Sequence, residues 1–109
     1  MYNNDLTDVK GDISQSIKLL DNNSVYHSIN QTVASNSSFT TSADGLYILR
    51  ADSDGLNAAQ WFLDSNRTKF LMSSFSANVS NPIPLKANTT IYTRNMSGET
   101  YAVVGYYEL

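Results

Sequence analysis

Apolar positions gather along this chain in short runs between polar turns, most densely from Gly45 to Ala51, Gly-Leu-Tyr-Ile-Leu-Arg-Ala. Polar turns bound that stretch, Thr41-Ser42-Ala43-Asp44 before it and Asp52-Ser53-Asp54-Gly55 after it. As a strand it places Leu46, Ile48 and Arg50 on one face and Tyr47, Leu49 and Ala51 on the other. Both faces carry large apolar groups, so the strand needs cover on two sides. The last stretch, Tyr101 to Leu109, has the same property. Tyr101, Val103, Tyr107 and Leu109 fall on one face, and Ala102, Val104 and Tyr106 on the other. A chain of 109 residues has one core to offer. The second faces are therefore expected to meet another subunit.

Before these stretches, Leu6, Val9, Ile13, Ile17 and Leu20 recur at helical spacing, predicting a helix over 5–20 capped by Asp5 or Thr7. Leu6, Ile13 and Leu20 take the a position of a heptad, with Val9 and Ser16 at d. Gly11 interrupts it at a cost of about 1 kcal/mol. Two readings fit, the end of a coiled-coil stalk and an amphipathic helix packed on its own domain. The narrowness of the stripe favours the stalk. Further strands are expected at Val25–Val33, Phe39–Thr41, Ala58–Leu63, Thr68–Met72, Phe75–Val79 and Thr89–Arg94. Asn81-Pro-Ile-Pro84 excludes a central strand, because proline donates no ladder hydrogen bond. About eight short strands with turn signals roughly every ten residues predict an all-β antiparallel sandwich or closed barrel. The division is a helical stalk segment over 1–22 and a β head over 23–109. The apolar final strand is expected to be central, paired along both edges.

Composition narrows the function classes. A net charge of −3 disfavours a binder that tracks nucleic-acid phosphates. No apolar run approaches the roughly 20 residues needed to span a bilayer, so membrane insertion is not expected. Cysteine is absent and leaves the redox compartment unread. The chain is rich in Asn, Ser and Thr and only 16% charged, as on an extracellular or virion surface. The seven Asn-x-Ser/Thr triplets are read as a by-product of that composition. The opening Met-Tyr-Asn-Asn-Asp lacks the order of a signal peptide. Retention in the producing cell, release by lysis and excision from a longer protein all stay open.

Three segments taken in order carry a resemblance: Phe39-Thr-Thr-Ser-Ala-Asp-Gly-Leu-Tyr-Ile-Leu49, Ile83-Pro-Leu-Lys-Ala-Asn-Thr-Thr-Ile-Tyr92 and Val103-Val-Gly-Tyr-Tyr-Glu-Leu109. Over roughly residues 39–109 the chain resembles trimeric jelly-roll head domains, the broad group similar to complement C1q and tumour necrosis factor folds that recurs in bacteriophage fibre and receptor-binding heads. Asn88 stands where that pattern has glycine, which asparagine tolerates through its left-handed backbone angles. The resemblance implies a jelly-roll β-sandwich, a homotrimer with the C-terminal strand near its threefold axis, and a virion location. It implies attachment to a host-surface glycan or protein receptor, or decoration among other virion proteins. Tyr47, Val103, Tyr107 and Leu109, with Leu6, Ile13 and Leu20 of the stalk, are the expected trimer contacts.

Candidate chemistry is sparse. His27 is the sole histidine and reads as a solvent-facing residue of an edge strand. Asp52-Ser-Asp-Gly-Leu-Asn57 begins like a calcium loop, but Leu63 stands where the closing Glu belongs, so it reads as a turn. No catalytic constellation, metal site or cofactor site is recognised, and the expectation is a non-enzymatic protein. Sugar binding asks for an aromatic face beside planar polar side chains. Tyr92 with Arg94 is the preferred pair, followed by Trp61 with Gln60 and Tyr26 with His27; Trp61 reads more readily as core. A carbohydrate-binding module of a larger enzyme or adhesin, acting as a monomer, is the rival function.

Overall fold

The computed structural model describes residues 25–53 and 57–109. The expected helix over 5–20, and with it Leu6, Ile13 and Leu20, lies outside the described residues. The strands are β1 (Tyr26–Val33), β2 (Ser38–Thr40), β3 (Gly45–Asp52), β4 (Ala59–Phe62), β5 (Phe70–Ser74), β6 (Asn78–Val79), β7 (Ile83–Leu85), β8 (Thr90–Thr93) and β9 (Thr100–Glu108). They form two antiparallel sheets, one ordered β1-β9-β3-β6 with β7 also on β3, the other β2-β8-β4-β5. The last strand is central, as expected, between β1 and β3. A short strand does form in the proline segment, where Pro84 pairs with Leu46. Because β7 pairs only with β3, the missing N–H of Pro84 faces no second strand.

The sheets share one core. Tyr47, Leu49, Ala51, Tyr101 and Val103 from the first meet Ala59, Trp61 and Ile91 from the second. Trp61 is fully buried and its ring meets that of Tyr101 edge-on at 5.4 Å. Truncating such a ring costs about 3–5 kcal/mol. Set against a typical total stability of about 5–15 kcal/mol, this one side chain weighs heavily.

A bulge changes which side chains share a face. Ile48 pairs with Gly105 but Leu49 pairs with Val103, leaving Val104 as an extra residue on β9. Beyond it the alternation is out of phase by one position. Tyr106 therefore joins Tyr101 and Val103 on the inner side, where it stacks on buried Tyr47 at 4.8 Å. Tyr107 turns outward, paired with Leu46 and Tyr26. The expected grouping of Tyr107 with Tyr101 and Val103 is thus corrected by the register. Strand β1 compensates with a residue of its own between Ser28 and Gln31, where Asn30 takes φ 50°.

Two buried threonines hold the turns. Thr41 donates from its hydroxyl to the Lys86 carbonyl at 2.6 Å and accepts from the Thr89 amide at 2.9 Å. Thr93 donates to the Ala34 carbonyl at 2.7 Å and accepts from the Ser37 amide at 2.8 Å. Asn88, at φ 63°, adopts the left-handed conformation expected of it.

Gly105 is fixed by close approach. A methyl group there would lie 2.5 Å from the His27 carbonyl oxygen and closer still to the Tyr26 hydroxyl. Gly105→Ala should therefore spread β1 from β9 and cost about 1–3 kcal/mol. Chemical denaturation checks this, and an unchanged midpoint would contradict the close packing.

Candidate functional site

The outer face of the β2-β8-β4-β5 sheet holds the most chemically varied surface among the described residues. Strand β8 alternates buried Ile91 and Thr93 with half-buried Thr90 and Tyr92, so Tyr92 faces outward. Tyr92 pairs with Phe62 on β4, and Phe62 pairs with Phe70 on β5. The result is a row of three rings across three strands. Phe62 lies edge-on to Phe70 at 6.4 Å, and Phe70 is 55% exposed. Two strand spacings of about 4.8 Å make the row about 10 Å long.

Arginines flank this row. The Arg67 guanidinium sits over the Tyr92 ring at 5.4 Å, within cation–π range. It is held there by donation from Nε to the Thr93 carbonyl at 3.0 Å and from Nη1 to the Ser65 carbonyl at 2.6 Å. Arg67 takes φ 56°, a left-handed conformation uncommon for a non-glycine residue. The turn that imposes it is tied by Asp64, whose carboxylate accepts from the Thr68 hydroxyl at 2.6 Å, the Thr68 amide at 2.9 Å and the Lys69 amide at 2.7 Å. These donors, the Thr68 hydroxyl foremost and the Lys69 amide next, hold the Asp64 carboxyl below its ordinary pKa.

Arg94 lies beside Gln60, Nη1 to Oε1 at 3.4 Å, and reaches Met96 Sδ at 2.7 Å. Its Nε pairs with Glu99 Oε2 at 3.2 Å. Glu99 is almost wholly buried, and its Oε1 accepts a 2.5 Å hydrogen bond from the Tyr101 hydroxyl. Oε2 has the ion pair but no aligned hydrogen bond. Burial first, and the bond to Glu99 second, push the Tyr101 hydroxyl well above the ordinary tyrosine pKa.

The structure thus brings Tyr92, Arg94 and Gln60 to one region and adds Arg67, Phe62 and Phe70, which the sequence reading missed. Phe62 pairs with Tyr92, Phe70 joins the row through Phe62, and the β4–β5 turn carries Arg67 over the ring, all by pairing between segments distant in sequence. Trp61 does not join them. It is core, its ring N–H donating to the Arg50 carbonyl at 3.1 Å, and it offers no face to a ligand. Tyr47 and Val103 are likewise fully buried within the chain, whereas Tyr107 is half-buried on the outer side and Leu109 half-buried beyond β9. Tyr26 is exposed at the edge of the other sheet. His27, on that same edge strand, stacks on Tyr106 at 4.8 Å, with Nε2 2.8 Å from Glu108 Oε2. No group of three or more His, Cys, Asp or Glu able to hold a metal ion occurs among the described residues. Compared with family models, curated proteins and solved structures, the chain matches none.

Removing Arg94 strands a buried carboxylate. Arg94→Ala should cost about 3 kcal/mol, the low end for unpairing a buried charge because the arginine side chain is itself 21% exposed. Adding Glu99→Gln should recover part of it, read as a positive coupling in a denaturation cycle. Asp64 supplies a pH test. A depressed carboxyl pKa contributes fully above the ordinary aspartate value and is lost as pH falls through the lowered one. The Thr68 and Lys69 amide resonances should therefore move together in that acidic range, and Asp64→Asn should abolish the transition.

Proposed function

We propose that this chain is a non-enzymatic attachment or decoration module, a jelly-roll head that self-associates through one outer face and engages a surface ligand with the other. The specific form suggested by the sequence resemblance is a homotrimeric head domain of a viral or bacteriophage fibre, displayed on the virion and directed at a host-surface glycan or protein receptor. The strand order β1-β9-β3-β6 against β2-β8-β4-β5 supports the jelly roll, since the chain crosses between the sheets at every connection except β4 to β5 and β6 to β7, as in two wrapped Greek keys.

One observation carries the reading: the two outer faces each bear a row of side chains in register, and the rows differ in chemistry. Across β1, β9, β3 and β7 the row is Tyr26, Tyr107, Leu46 and Pro84, with Tyr26 and Tyr107 ring centroids 5.0 Å apart. Ile48 lies on the same side, paired with Gly105. This row is apolar with tyrosines, the composition of an interface core. The opposite face combines aromatic rings with Arg67, Arg94 and Gln60, which suits recognition of a polar, ring-containing ligand.

Light scattering after size exclusion should give about three times the 12.0 kDa chain mass. Tyr107→Asp should reduce it to the single-chain mass while leaving the fold intact, because the new charge would otherwise be buried unpaired between subunits. Val103→Asp is a poor substitute, since Val103 is intrachain core and its loss unfolds the protein. A wild-type monomer would favour the carbohydrate-binding module of a larger enzyme or adhesin.

A further inference from the structure

We propose that the face formed by Tyr92, Phe62, Phe70 and Arg67 binds a short acidic oligosaccharide, with the carboxylate of one sugar at the Arg67 guanidinium and the ring of a neighbouring sugar against Phe70. This deepens the attachment reading and rests on it. Three observations carry it. First, Arg67 has no carboxylate within ion-pair distance among the described residues, whereas Arg94 is taken by Glu99. The carboxylate of the same turn, Asp64, is occupied by Thr68 and Lys69.

Second, the guanidinium is positioned before any ligand arrives. Two of its nitrogens are bonded to backbone carbonyls and its Cζ sits over the Tyr92 ring at 5.4 Å. Little side-chain freedom is left to lose when an anion binds, which lowers the entropic cost of binding. Nη2 and the second hydrogen of Nη1 remain to donate to a carboxylate. The left-handed backbone of Arg67 is a local strain that a glycine would relieve, and strain of this kind gathers at binding sites.

Third, the exposed ring is at the right remove. Phe70 lies two strands from Tyr92, about 10 Å at the usual spacing. That distance lets a carboxylate at one end and a stacked ring at the other belong to one short oligosaccharide. Gln60, one residue from Trp61 on the outward side of β4, adds a side-chain amide near the row.

The test is nuclear magnetic resonance titration of the full chain with oligogalacturonate and sialyllactose, each against its neutral counterpart, the methyl ester and lactose. The expected result is saturable binding of an acidic probe at least tenfold tighter than its neutral partner, with shifts confined to residues 60–70 and 92–94. Arg67→Gly, which suits φ 56°, should keep the melting temperature and weaken acidic binding to the neutral level. Phe70→Ala should weaken acidic and neutral probes alike. Equal binding of acidic and neutral probes, or an Arg67→Gly protein that binds as the wild type does, overturns the acidic-sugar assignment and leaves a glycan-binding face standing. Absence of binding by every probe overturns both.

Discussion

The two sheets depend on one junction at the Trp61–Tyr101 contact. Tyr101 stands on β9 and Trp61 on β4, so their edge-to-face packing joins the sheets through the middle of the core. The polar ends of both side chains are used as well. The Tyr101 hydroxyl accepts from the Gln60 amide at 3.0 Å and donates to Glu99, while the Trp61 ring N–H donates across to Arg50 at 3.1 Å. A buried hydroxyl or indole N–H left unpaired costs about 1–3 kcal/mol. Here neither is unpaired. The same junction fixes Gln60 and, through Glu99, Arg94, so the outer surface of the second sheet takes its position from the core beneath it.

The bulge at Val104 is the second constraint. Without it, β9 would present Tyr107 to the core beside Val103 and turn Tyr106 outward. With it, Tyr106 completes a stack running from His27 through Tyr106 to Tyr47, across three strands at 4.8 Å spacings. Gly45 makes room for the Tyr106 ring, which would lie 2.5 Å from an added methyl group. Tyr107 is thereby released to the outer row with Tyr26 and Leu46. One inserted residue thus assigns one tyrosine to cohesion and its neighbour to the surface.

Much of the fold was legible because strand periodicity depends on side-chain alternation alone. The expected strands from Val25 onward correspond to β1 to β6, β8 and β9, and the central place of the last strand followed from its apolar character on both sides. What alternation does not contain is register. Nothing in Tyr101-Ala-Val-Val-Gly-Tyr-Tyr marks Val104 as extra, so the faces beyond it were exchanged. The short strand at Ile83–Leu85 escaped because proline rules out pairing on both edges but not on one. Of the candidate site, Tyr92 and Arg94 were readable from their spacing on one face. Arg67, Phe62 and Phe70 were not, since their relation to Tyr92 arises from pairing between distant segments. Glu99 gave no signal: an acid between Gly98 and Thr100 reads as loop, yet the fold buries it against Tyr101 and Arg94.

The two arginines of the outer face of the second sheet are therefore not equivalent. Arg94 neutralises a carboxylate that the core has already buried, and its charge is spent on keeping the β8–β9 connection closed over the Tyr101 hydroxyl. Arg67 stabilises nothing of opposite charge among the described residues, yet its backbone is held in a left-handed turn and its guanidinium is fixed over an aromatic ring. Structural economy accounts for the first arrangement. The second orders a long cationic side chain through the Ser65 and Thr93 carbonyls and the Tyr92 ring instead of through an ion pair. On the binding proposed above, an anion would meet a guanidinium already held in place, and the exposed ring of Phe70 would take the rest of the ligand.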